Sequence, residues 1–276
     1  MNIGIGIVIK RVTAAAPFPT FSHSRVSKVM KKNMSMRTCG RFLILILMIP
    51  FLGCDLSGDE NGILVFSHSF DFSQNQYDWA VDFTDYPSGE EDSAFYELSF
   101  AYTNRPEHLG ADKKSMMLSG SNHSDDLFMF MKRKITNLNP NTDYAIVFEV
   151  ELASNAPKGA VGIGGSPGES VYLKAGASGT EPKKVIEGNQ FSLNIDKGNQ
   201  SAQGENTIVL GNIAVDYNTK DFALITRSNA AVNNSPFVAK SNSKGELWLI
   251  VGTDSGFEGT TTVYYTRINV VFSASR

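Results

Sequence analysis

The chain has 276 residues, 42% of them hydrophobic, with 25 Lys and Arg against 28 Asp and Glu. The charge is unevenly placed: the first 53 residues hold eight basic side chains (Lys10, Arg11, Arg25, Lys28, Lys31, Lys32, Arg37 and Arg41) and no acid, so the remainder carries 17 against 28, a net of −11. So acidic a domain repels phosphate backbones, which excludes nucleic acid as a partner, and is compatible with calcium.

Residues 42–53, "FLILILMIPFLG", form an apolar run. It is shorter than the roughly 20 residues a spanning helix needs, and it fits the apolar region of a secretory signal with Arg37 and Arg41 as its charged flank. The run ends in "FLGC", where Gly53 and Cys54 resemble the lipobox of a bacterial lipoprotein precursor, although Phe51 stands where leucine is usual. The resemblance implies that residues 1–53 are a signal region removed from the mature protein. It also implies that Cys54 carries the acyl chains, and that the protein is membrane-anchored and extracytoplasmic, in a bacterial cell envelope. Two or more acyl chains anchor stably without any span, so the membrane is a partner through the lipid alone. Translation from Met30, Met34 or Met36 already gives a normal signal, so Met1 reads as an early start.

Cys39 and Cys54 are the only cysteines, so no disulfide stabilises the mature domain and a packed core must. "CDLSGDENG", residues 54–62, reads as the lipidated cysteine and a flexible tether. Residues 63–276 are expected to form one domain.

From Ile63 onward the periodicity is that of strands. In "DYAIVFEVELA" Tyr144, Ile146, Phe148, Val150 and Leu152 share one face while Glu149 and Glu151 take the other. Comparable runs are, in chain order, "ILVFSHSF", "AFYELSFAYT", "DLFMFMKRKI", "SVYLKAG", "QFSLNI", "TIVLGNIAV", "FALITR", "ELWLIVGT" and "TTVYYTRINVVF". Gly, Asn, Pro, Ser and Asp clusters separate them, and no helical or long-range repeat appears, so the fold class is all-β, a sandwich or barrel.

Leu138, Pro140, Thr142 and Tyr144 in "NLNPNTDY" resemble the corner that introduces a strand in fibronectin type III domains and jelly-roll carbohydrate-binding modules. Pro140 sets the turn, Leu138 fills the space beneath it, and Tyr144 is expected to bond its hydroxyl back to the loop. The wider pattern over residues 63–273 resembles bacterial secreted proteins with a single jelly-roll, galactose-binding-like sandwich. That likeness implies a fold and no particular activity.

Several polar stretches are candidates for chemistry. "GIGGSPGES" places Ser166 in the G-x-S-x-G spacing of a hydrolase elbow. A strand-like segment follows it, Pro167 removes an oxyanion-hole N–H, and His68, His108 and His123 all precede it, so a turn is expected and no catalytic residue is assigned. Asn122, His123, Ser124, Asp125 and Asp126 offer oxygen-rich ligands for sugar hydroxyls or a hard cation, or else build a turn. Asp125 and Asp126 are adjacent and so point to opposite faces of a strand, which rules them out as a glycosidase pair. Asp196, Asn199, Asp254 and Glu258 are the candidate calcium ligands, again with hairpin turns as the competing reading. Trp79, Tyr86 and Phe257 are the aromatic candidates for stacking on a sugar ring, whereas Trp248, in "LWLIV", is expected in the core. The functional expectation is a non-catalytic carbohydrate-binding protein. The alternative is a structural or adhesive surface protein that binds protein partners, and a glycan hydrolase is the third possibility.

Overall fold

The structure, a computed structural model, describes residues 62–89, 92–216, 221–230 and 236–275. The signal region, Cys54 and all but the last residue of the tether lie outside the described residues.

Among the described residues fifteen strands follow in chain order: β1 Ile63–Asp71, β2 Ala80–Thr84, β3 Tyr86–Pro87, β4 Ser99–Asn104, β5 Lys114–Ser121, β6 Leu127–Ile135, β7 Asp143–Ser154 and β8 Val171–Ser178. There follow β9 Lys184–Glu187, β10 Gln190–Leu193, β11 Thr207–Asn212, β12 Ala223–Ser228, β13 Phe237–Lys240, β14 Leu247–Ser255 and β15 Thr260–Ser275. One helical turn, α1 (Asp92–Phe95), and a 3-10 turn, Glu107–Leu109, interrupt them. The expected strand "AFYELSFAYT" is corrected here: Ala94 and Phe95 belong to α1, a turn follows at Tyr96 and Glu97, and pairing in a sheet begins only at Ser99, in β4.

Two antiparallel sheets make the sandwich. One has seven strands, in the order β12-β7-β15-β5-β4, with β1 added to β15 and β13 to β7. The other has five, β11-β8-β14-β6-β2, and a small β3-β10-β9 sheet stands apart. The chain alternates between layers, since β5, β7, β13 and β15 lie in the first sheet and β6, β8 and β14 in the second. That wrapping is the jelly-roll pattern.

Strand alternation builds the core. Tyr144, Ile146, Phe148, Val150 and Leu152 of β7 are all buried and face Met129 and Met131 of β6, Leu173 of β8 and Leu249 of β14 within one cluster. In β15 the inward set is Val263 and Tyr265, then Ile268, Val270 and Phe272. The phase slips at a bulge between Tyr265 and Arg267. There Thr266 is buried, and its hydroxyl donates to Glu151 Oε1 at 2.7 Å, which satisfies the group the bulge turns inward. The expected corner is present: Leu138 is buried, and the Tyr144 hydroxyl accepts from the Asn139 N–H at 2.9 Å.

Candidate functional site

The outer face of the five-stranded sheet carries the chemistry. Core-facing Leu127, Met129 and Met131 alternate along β6 with Phe128, Phe130 and Lys132, and the cross-strand register places Phe128 between Thr84 and Asp254, with Tyr172 beyond. The segment 194–206 lies over this row. It comes so close that a Cβ on Gly176 would stand 1.9 Å from the Asn206 carbonyl oxygen, so β8 needs glycine there.

Beneath that segment five charged groups meet. Asp254, fully buried, holds Lys174 and Lys197 on its Oδ2, each at 2.9 Å, and the same oxygen accepts the Gln200 N–H at 2.9 Å. Lys174, also fully buried, donates to the carbonyls of Lys197 and Ala202. Lys197 Nζ lies 2.7 Å from Asp85 Oδ2, an ion pair not aligned as a hydrogen bond. Asp126 completes the group, with one oxygen each of Asp85, Asp126 and Asp254 within 4.8 Å of one another.

Burial, reinforced by the Asp254 charge, pushes the Asp126 carboxyl up to about 8. A proton held on Asp126 gives it a donor toward Asp254; Asp126 Oδ1 and Asp254 Oδ1 are both buried without a hydrogen-bond partner. Burial also raises Asp85, against the pull of Lys197. Burial opposes ionisation of Asp254, but the two lysines outweigh it and its carboxyl stays below the usual range. With Asp126 neutral, two carboxylates face two ammonium groups, and the network balances its own charge. Lys174 and Lys197 supply the positive charge that faces Asp254 and Asp85.

Above this network opens a pocket of about 300 Å³, lined by Asp85, Asp126, Gln190, Ser192, Leu193, Ile195, Asp196, Lys197, Gly198 and Asn199. At the same end of the sandwich, exposed His123 stacks on exposed Phe95 with ring centroids 4.1 Å apart, and Tyr96 meets the His123 ring edge-on.

The sequence candidates divide sharply. Asp126, Asn199 and Asp196 reach the pocket, and His123 stands exposed near it. Asn122 is buried: its amide donates to the carbonyls of Ser255 and Phe257 and its oxygen accepts the Ser124 N–H, so it ties loops together. Asp125 is exposed in a left-handed turn, and its carbonyl accepts from Gln200.

Trp79 and Tyr86 are not exposed platforms. Trp79, just before β2, is buried against Phe70 and Phe72, and Tyr86 of β3 packs between Tyr96 and Phe191. Phe257 lies under Gly162 and Gly259, where any Cβ would collide with its ring, and so it packs rather than presents. The inverse holds for Trp248: it is half-buried on the outer face of β14, with Lys132 and Lys134 at 5.8 and 5.6 Å from its ring.

Of the calcium candidates, Asp196 and Asn199 line the pocket, Asp196 accepting the N–H groups of Gly198 and Glu205, whereas Asp254 is sealed under lysines and Glu258 is placed by a backbone bridge to Ile163. Ser166 sits in a turn before β8, with its hydroxyl on Glu169 at 3.4 Å, as a strand connection requires. Asp85, Lys174, Lys197, Gln190 and Phe95 were missed by sequence reading. Only the polar phase of Lys174 within "SVYLKAG" hinted at any of them.

The fold and site define a jelly-roll sandwich with a charged, loop-covered outer face and a polar pocket beside it. No family model and no curated protein matches the chain. Among solved structures it is similar to a carbohydrate-binding module characterised for specific mannan recognition, at 8% identity and TM-score 0.34, covering 76% of this chain and 98% of that one. It is also similar to a xylan-binding module at 10% identity and TM-score 0.34, with 76% and 96% covered. A third is the K1 cleaved adhesin domain of Lys-gingipain from Porphyromonas gingivalis W83, at 12% identity and TM-score 0.32, with 74% and 97% covered. At this depth of likeness the fold rests on the chain's own strand pairing.

Proposed function

We propose that this chain is a lipid-anchored, extracytoplasmic, non-catalytic protein that binds carbohydrate in the pocket lined by Asp85, Asp126, Gln190, Ser192 and Asn199. The observation that carries this reading is the pocket itself. Its volume of about 300 Å³ is at the small end of the ligand-site range. Its walls mix carboxyl, amide and hydroxyl groups, the complement of sugar hydroxyls that both donate and accept. The Phe95–His123 pair adds a flat surface for the apolar face of a ring.

A glycosidase pair needs a carboxylate free to act at the glycosidic bond. Here Asp85 and Asp254 are held by lysines, which favours binding over hydrolysis. Cys54 and the signal region support the anchor on sequence grounds alone.

The test is a glycan array probed with the folded full chain in calcium-containing buffer. Saturable binding to one glycan class is expected. Gln190→Ala should weaken it about tenfold, the equivalent of roughly one or two hydrogen bonds. Silence across the array from protein with a cooperative unfolding transition overturns the reading.

A further inference from the structure

The outer face of the seven-stranded sheet is divided along its length. One line across four strands joins Val65, Ser273, Ala145 and Val238, and the next joins Ser67, Val271 and Val147. Ile63 extends the patch on β1, in the last row of the face, where β7 and β13 contribute the charged pair Asp143 and Lys240. Ile63 is 70% exposed, Val65 61%, Val238 50% and Val271 38%, so this is apolar surface in contact with solvent. Farther along the same face the residues are Ser69, Asn269 and Glu149, then Asp71, Arg267 and Glu151, all polar.

The apolar end is where the chain enters the domain. Cys54 lies nine residues before Ile63, and an extended chain of that length reaches at most about 30 Å. The pocket is at the opposite end: β15 runs from Thr260, near the close of β14 at Ser255, to Ser275 opposite Ile63, up to about 50 Å of strand. A lipid on Cys54 would keep this end within about 30 Å of a bilayer, with the pocket at the far end of the strands.

We infer that the patch formed by Ile63, Val65, Val238 and Val271 seats on the lipid surface, so that the domain leans on the membrane with its ligand pocket turned outward. This rests on the lipid-anchored reading. Side chains of this kind enter the boundary between headgroups and acyl chains, and a tether too short to let the domain diffuse away keeps them near it. A patch of apolar surface rimmed by polar residues is also the ordinary mark of an interaction site.

The experiment uses the full chain, expressed in a bacterium that processes lipoproteins and reconstituted in phosphatidylcholine vesicles. Single thiols are introduced as Val65→Cys, Val271→Cys and, on the polar part of the same face, Glu149→Cys, then labelled with a fluorophore. Labels at 65 and 271 are expected to be quenched by nitroxide lipids and to lose iodide quenching about twofold or more relative to 149, as partial insertion requires. Equal iodide quenching at all three positions, on protein that floats with vesicles and carries acyl chains by mass spectrometry, overturns the inference while leaving the anchor intact. Protein that neither floats nor carries acyl chains overturns the anchor, and the inference with it. Protection from both quenchers together with a dimeric mass assigns the patch to a second copy and also overturns it.

Discussion

At the end of the sandwich where β14 finishes and β6 begins, Lys174 and Lys197 hold Asp254 and Asp85 beneath the 194–206 segment. At the other end Tyr144 closes its corner with one neutral hydrogen bond to Asn139 over buried Leu138. The first closure brings charge inside, and its stability depends on protonation and on every partner being present. The second relies on apolar packing and one hydrogen bond. The charged end also leaves carboxyl, amide and hydroxyl groups around an opening, whereas the other end leaves valines and an isoleucine facing outward beside the Asp143–Lys240 pair. The same fold thus offers a polar recognition surface and an apolar seating surface.

The contrast can be broken most severely at Lys174. Lys174→Ala removes one cation from a fully buried pair, and chemical denaturation should show a loss of about 3–5 kcal/mol, the usual cost of leaving a buried charge unpaired. A loss under about 1 kcal/mol would mean that solvent already reaches the network.

Titration probes the charged end next. Because the Asp126 carboxyl is raised to about 8, the folded state binds more protons than the unfolded one between the ordinary carboxylate range and pH 8. Its contribution to stability is complete below the unfolded value near 3.9 and is lost as pH climbs toward 8. Asp126→Asn, which keeps a donor toward Asp254, should flatten that part of the stability–pH profile, measured by urea unfolding across pH 4–9. An unchanged profile would remove Asp126 from the account. Tyr144→Phe is expected to cost about 1 kcal/mol in urea unfolding, since it deletes one hydrogen bond from the corner.

The apolar half of this architecture was legible in the sequence, and the charged half was not. The alternation in β7 identified its buried face, and "NLNPNTDY" identified the corner, because both are local patterns written in consecutive residues. The segment "KSMMLSGS" of β5 and the short β2, β3, β9 and β13 escaped notice, being brief or weakly alternating. Trp79 and Trp248 exchanged roles for a related reason. Which face of a strand is covered depends on what folds over it, and the 194–206 segment that shields Lys174 leaves Trp248 half open. The pairing of Asp85, Asp126 and Asp254 spans about 170 positions and has no spacing to read. Asp126 and Asp254 were recognised as polar loop residues, but their lysine partners were not.

The central claim is that ligand enters at the Asp126 end. Hydrogen exchange of the full chain, with and without a saturating glycan chosen from the array, tests it directly. Slowed exchange confined to residues 123–126 and 190–200 is the expected result. Slowed exchange around Lys132, Lys134 and Trp248, with 190–200 unchanged, would contradict it and move the binding surface to the open part of β14.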